Sequence, residues 1–267
     1  MTVSTWTEAG IEHERFWDEL SEPYQRDTRI STTDFHYGPL LPGDRELKIL
    51  PSPLAGSRCL ELGAGAGQNS LFLAAQGAHC TALDISAAQL EFGRALAKNE
   101  KVPVDFIQAD LDRLPLFPTK FDLIHSAYGI PFSSHPEALI QACSDLLTPG
   151  GHLLFSMGHP VFAGEWLELD EDQGIFLSSY FHPRPDVREG GDSVVQAMAY
   201  PLSECVRWIK AAGLELLDLR EPSALPVHLM SNSEIAERVP YYSDDWADQE
   251  NELTRFPVVA VFLARKP

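Results

Sequence analysis

From residue 57 onward, short apolar runs alternate with longer segments of helical periodicity. The runs at 57–62, 78–83, 104–108, 121–126 and 152–157 have the length and apolar continuity of buried strands. Helical segments at 69–76, 87–98 and 136–147 separate them, with Ser86 placed as an N-cap and Thr148-Pro149-Gly150-Gly151 as a stop signal. A further helix at 202–212 and strands at 214–219 and 258–264 close the chain. This succession predicts an α/β fold: a seven-stranded, mostly parallel sheet with helices on both faces.

Three stretches depart from the alternation. The first fifty residues form an N-terminal extension, with a short helix at 11–20 and a polar, aromatic stretch with turn residues at 24–43. An insertion after the fifth strand, 159–199, holds Pro160, Pro183, Pro185, the Gly190-Gly191 pair and the aromatics Phe162, Trp166, Phe176, Tyr180 and Phe181. Long irregular stretches in compact domains are often functional, so it reads as an acceptor-side lid, or equally as a dimer contact. A second irregular stretch spans 222–256. The expected organisation is one domain over 1–267: extension 1–50, core 57–158, insertion 159–200, closing elements 201–267.

Composition narrows the partners. Among 267 residues, 39 Asp and Glu against 20 Lys and Arg give a formal net charge of −19, a field that repels phosphate backbones and anionic lipid surfaces. Nucleic acid and membrane are therefore not expected partners. No run approaches the roughly 18 apolar residues of a membrane span, and the first residues lack a basic start followed by an apolar stretch. A cytoplasmic protein is expected. Cys59, Cys80, Cys143 and Cys205 lie in no close pair, so no metal site is expected.

The chemistry concentrates at Glu61-Leu62-Gly63-Ala64-Gly65-Ala66-Gly67, between the first strand and the helix after it. Glycines there let backbone approach a ligand closely. The dinucleotide fingerprint places its third glycine three positions after the second, whereas Gly67 follows Gly65 by two. The run resembles motif I of the class I, Rossmann-like S-adenosylmethionine-dependent methyltransferases. Leu83-Asp84-Ile85-Ser86, Gln108-Ala109-Asp110, Phe121-Asp122-Leu123-Ile124 and Leu147-Thr148-Pro149-Gly150-Gly151 resemble its later motifs, in order. The likeness is to the type 11 small-molecule group.

That resemblance implies S-adenosyl-L-methionine as cofactor and S-adenosyl-L-homocysteine as product. It implies that Gly63, Ala64, Gly65 and Gly67 pass close to the cofactor, and that Asp84 accepts from the ribose hydroxyls. By the same resemblance Ile85 packs on the adenine, Asp110 and Leu111 hold its edge, and Glu61 and backbone near Ser126 frame the methionine end. Asp84 and Asp110 also have plain readings, as a helix cap and a turn residue. A general base is needed only if the acceptor arrives protonated, and the candidates are His159, Tyr128 and His125. His36 and Tyr37 are placed to close over the sulfonium, with a packing cluster as the alternative.

The expected function is methyl transfer to nitrogen or oxygen of a small-molecule acceptor. The alternatives are a protein or peptide acceptor, a nucleotide-cofactor oxidoreductase and a non-catalytic binding protein. Against nucleic-acid bases stands Ser126-Ala127-Tyr128-Gly129, where an Asn/Asp-Pro-Pro-aromatic sequence would sit.

Overall fold

The structure is a computed structural model that describes residues 6–169, 172–182, 185–190, 193–248 and 253–267. Its centre is a seven-stranded sheet built from β1 (Arg58–Leu62), β2 (His79–Asp84), β3 (Val104–Gln108), β4 (Phe121–Ala127), β5 (Leu147–Gly158), β6 (Glu215–Arg220) and β7 (Val259–Arg265). The order across the sheet is β6-β7-β5-β4-β1-β2-β3. The pairs among β1 to β5 are parallel, and β7 runs antiparallel to both β5 and β6. The chain reverses direction across the sheet between β1 and β4, which opens a crevice at their carboxyl ends.

Side chains alternate across the strands and build two cores. Leu60, Leu62, Leu153, Phe155, Met157, Ala260, Phe262 and Ala264 face one side. There they pack on α4 (Pro136–Leu146) and α5 (Leu202–Ala211) through Leu139, Ile140, Cys143, Cys205, Trp208 and Ile209. Phe155 and Phe262 sit directly opposite on adjacent strands and stack with centroids 4.8 Å apart. The other side takes Cys59, Leu123, Leu154, Val259 and Val261, covered by Leu73 of α2 (Gln68–Ala75), by Phe35, Leu40 and Leu41, and by Val227 and Ile235. The four cysteines are buried free thiols, consistent with service as small apolar groups.

The seven strands and their helices lie where the periodicity places them, and Ser86 caps α3 (Ala87–Glu100) by accepting from the Gln89 N–H. The Pro-Gly-Gly turn differs: it lies inside β5 as a bulge, where β4 advances from Phe121 to Leu123 while β5 advances from Leu147 to His152. Gly150 takes φ +78° there, and its N–H donates to the Lys266 carbonyl. The first helix, α1 (Glu8–Asp27), is longer than the apolar pattern suggests and carries Pro23 within it.

The irregular stretches also hold structure. Thr28–Ile30 pairs antiparallel with Tyr241–Ser243, which ties the extension to the far end of the chain. The insertion contains two hairpins, Glu165–Leu169 with Asp172–Phe176 and Asp186–Gly190 with Ser193–Ala197. Val195 and Ala197 are buried and packed near α1, while Val194 and Gln196 are exposed, the period of a half-covered strand. Pro183 and Gly191 lie outside the described residues. Residues 222–256 contain Asn232–Arg238, a helix opened by a Ser231–Glu234 capping box. No described helix is long and apolar enough to cross a membrane.

Candidate active site

A cavity opens at the carboxyl ends of β1 to β4, with about 1180 Å³ of non-atom space including its mouth. Its wall includes Glu61, Gly63 to Ala66, Asp84, Ile85, Asp110 and Leu111, together with His36, Tyr24, Tyr128, Tyr241 and Trp246. Among the described residues, three carboxylates and no lysine or arginine line it.

The glycine turn is shaped by its backbone. Gly63, Gly65 and Gly67 have φ of +65°, +56° and +70°, a region costly for residues with a Cβ. A Cβ on Gly63 would lie 2.9 Å from the Gly129 Cα. A Cβ on Gly65 would meet nothing closer than 3.8 Å, so the turn's outer face is open toward the cavity. Glu61, at the end of β1, is buried, and its Oε2 accepts from the Ser70 N–H at 2.9 Å, in the first turn of α2. A carboxylate is stabilised at that helix end, yet burial dominates and pushes Glu61 up to about 7.

Asp84, at the tip of β2, accepts from the Gly65 N–H at 2.7 Å through one oxygen and from the Ser86 N–H at 2.9 Å through the other. Burial raises its carboxyl above the usual range, against the pull of those bonds. A carboxylate has about four acceptor positions, so two remain for a ligand. Asp110 is more fully engaged: one oxygen accepts from both the backbone N–H and the hydroxyl of Thr7, and the other from the Asp112 N–H. About one acceptor position remains. Thr7 is the N-cap of α1, so this carboxylate moors the extension over the cavity.

The remaining sequence candidates divide. Tyr128 lines the cavity, with φ +65° and its N–H on the Ser156 carbonyl. Ser126 is not part of the wall. Its hydroxyl donates to the Leu62 carbonyl and accepts from the Gly129 N–H, which braces the β4 loop against β1. Tyr37 is also outside the wall: it is buried beside Phe35, and its hydroxyl donates to Asp44 at 2.6 Å. His125 lies behind the cavity, fully buried, with neither ring nitrogen hydrogen-bonded. Its Nδ1 is 4.0 Å from Glu61 Oε1, beyond hydrogen-bond range, and burial pulls it down to about 3. His159 is a buried turn residue whose Nδ1 accepts from the Val161 N–H, and it too is off the wall. Its Nε2 lies 2.7 Å from Glu221 Oε1 without hydrogen-bond geometry.

Other wall residues went unread in the sequence. His13, Trp17 and Tyr24 fall on one face of α1, a spacing that extends the helix signal past residue 20. Gln25 bridges Gln68 and Gln89, donating to Gln89 at 2.8 Å and accepting from Gln68 at 3.1 Å. Tyr241 and Trp246 carry no local signal, because their place depends on the pairing of Thr28–Ile30 with Tyr241–Ser243. Among the described residues no group of three His, Cys, Asp or Glu could hold a metal ion.

Comparison with known proteins gives the same picture. A family described as a methyltransferase domain matches residues 60–155. A ubiquinone biosynthesis O-methyltransferase from Xylella fastidiosa is 39% identical over 170 residues, 62% of this chain and 64% of that protein. A demethylmenaquinone methyltransferase from Clavibacter sepedonicus is 38% identical over 104 residues, 39% of this chain and 42% of that protein. The chain thus spans less than two thirds of the length of these curated relatives. Two solved S-adenosylmethionine-dependent methyltransferases share the fold. The one from Mesorhizobium loti has a TM-score of 0.63 at 22% identity, covering 82% of this chain and 94% of that one. The one from Listeria monocytogenes has 0.64 at 18%, covering 84% and 97%. Residues 60–155 thus match a methyltransferase-domain family, and the chain shares the Rossmann-like fold of these two solved proteins.

Proposed function

We propose that the whole chain acts as one S-adenosylmethionine-dependent methyltransferase domain, transferring a methyl group to oxygen of a small-molecule acceptor. The observation that carries this is the wall's charge: among the described residues it holds Glu61, Asp84 and Asp110 with no lysine or arginine. Such a wall suits a ligand bearing an ammonium and a sulfonium, and it offers nothing to the phosphates of a dinucleotide. The residues also fit the cofactor sterically, since the open face of Gly65 lies beside the two free acceptor positions of Asp84. Oxygen is favoured over nitrogen because the Xylella fastidiosa relative is named an O-methyltransferase.

When bound, S-adenosylmethionine supplies a methyl group already activated on a sulfonium, so the chain's task is mainly positioning. Asp84 holds ribose hydroxyls, Glu61 and the Gly63–Gly67 turn hold the methionine end, and Ile85 and Leu111 exclude water from the adenine. Tyr24, Tyr128, Tyr241 and Trp246 form the acceptor end, where aromatic faces favour both a flat acceptor and the nearby positive charge.

Titration calorimetry with S-adenosylhomocysteine and with NADH tests the reading. Saturable heat with the first and none with the second is expected. Tight NADH binding with no response to S-adenosylhomocysteine overturns it.

A further inference from the structure

His36 stands out among the wall residues. It lines the cavity, it is only 8% exposed, and its Nδ1 has no hydrogen-bond partner. Buried polar atoms are normally paired, and an orphan in a ligand cavity points to a partner that arrives with the ligand. The imidazole packs edge-on against Tyr241, centroids 5.3 Å apart, and the Tyr241 hydroxyl is 2.8 Å from that of Tyr24.

The backbone of His36 is held unusually well for a residue outside regular structure. Its N–H donates to the Asn69 side-chain oxygen at 2.9 Å, and its carbonyl accepts from the Asn69 amide nitrogen at 3.1 Å. Asn69 is fully buried in the first turn of α2, directly after the glycine turn. One side chain therefore pins His36 to the element that frames the methionine end of the cavity.

We propose that His36 is the catalytic residue that receives the acceptor's proton and that Asn69 is its positioning residue, an inference that rests on the methyl-transfer reading above. The acceptor hydroxyl donates to the neutral imidazole while its oxygen faces the methyl group. The oxygen forms a bond to the methyl carbon as the methyl–sulfur bond breaks, with that electron pair staying on sulfur. The hydroxyl proton passes to the imidazole, and the positive charge moves from sulfonium to imidazolium. Burial holds His36 down at about 4, so it waits unprotonated at neutral pH. A weak base suffices, because a hydroxyl oxygen becomes strongly acidic as it gains the methyl group. Tyr24, Tyr128 and Tyr241 line the same cavity as His36.

The test uses phenol and catechol as probes on the S-adenosylhomocysteine-loaded or S-adenosylmethionine-loaded protein. With histidine-labelled protein, phenol is expected to shift the ring-nitrogen resonances of His36 in the direction of hydrogen-bond acceptance, and anisole to leave them unmoved. Resonances unmoved by phenol overturn the proposal. His36→Ala is expected to lower catechol methylation by about 10²-fold, with partial rescue by added imidazole and S-adenosylhomocysteine affinity within about twofold. Full activity, or a loss that imidazole does not restore, overturns it. Asn69→Ala should lower turnover more than cofactor affinity, and an unchanged turnover removes Asn69 from the role. Failure of the wild type to bind S-adenosylhomocysteine would instead sink the methyl-transfer reading itself.

Discussion

At the scale of single residues, the site is built from side chains that serve backbone and ligand together. Asp84 fixes Gly65 and Ser86 through both oxygens and still has acceptor positions to spare. Asp84→Ala should weaken S-adenosylhomocysteine by at least about tenfold in calorimetry, since each charged hydrogen bond contributes about 1.5–3 kcal/mol and about 1.4 kcal/mol is a factor of ten. Unchanged affinity would leave Asp84 as a brace for the turn alone. Gly63 is a steric requirement: its φ is +65°, and a Cβ would lie 2.9 Å from the Gly129 Cα. Gly63→Ala should cost at least about 1–2 kcal/mol in urea unfolding from the left-handed backbone alone. His159 makes the opposite point. Its bond to the Val161 N–H and its burial describe a turn histidine. His159→Ala should leave cofactor affinity and turnover near wild type while lowering stability, and a selective loss of turnover would contradict its placement.

At the scale of elements, α1 should respond most to a ligand in the cavity. Its N-cap Thr7 bonds Asp110, its Asp18 accepts from the Ser86 hydroxyl, and its Gln25 bridges to Gln68 and Gln89. These polar contacts lie along the cavity, so a ligand there shields them. Amide exchange in the first turns of α1 should slow when S-adenosylhomocysteine binds and quicken in Thr7→Ala, which loses a cap contributing about 0.5–2 kcal/mol. Exchange unaffected by the ligand would mean that α1 is a fixed cover. The alternating core and the glycine turn that lines the cavity were readable because each depends on local rules. Strand runs, the Ser86 cap, the left-handed glycines and carboxylates at strand tips all declare themselves within a few residues. The aromatic part of the wall was hidden because it is assembled from Tyr24, His36, Tyr128 and Tyr241. Their meeting depends on the short pairing of Thr28–Ile30 with Tyr241–Ser243 and on the Asn69 clamp. No spacing rule reaches over that distance. Tyr37, one residue from His36, shows the cost of reading by adjacency alone: its ring turns into the core and its hydroxyl to Asp44.

At the scale of the whole molecule, buried titratable groups set how stability follows pH. Burial lowers His36 to about 4 and His125 to about 3, and it lowers His13, His152 and His159 as well. For each, the unfolded chain binds the proton more tightly, so stability falls as pH drops below the ordinary histidine range. Glu61, raised to about 7, and Asp34 and Asp84, raised by burial, act in the opposite sense: the folded state holds their protons, and stability declines as pH rises through that interval. The histidines outnumber the carboxyls, so unfolding free energy should climb from about pH 5 to a maximum near about pH 6.5. Just above it, Glu61 still titrates, and its own contribution to the decline should be under about 1 kcal/mol. His125 isolates one contribution, because it is fully buried, off the cavity wall and unpaired at both nitrogens. His125→Leu removes two orphaned polar atoms and a group that resists protonation in the fold. The acid limb, measured by urea unfolding at successive pH values, should become shallower by about 1.4 kcal/mol per pH unit between about pH 4 and 6. Stability at pH 5 should equal or exceed that of the wild type, since an apolar side chain suits that site better than an unpaired imidazole. An unchanged slope would show that His125 takes its proton in the folded state at its ordinary pH, which would require a bond to Glu61 that the 4.0 Å separation does not provide.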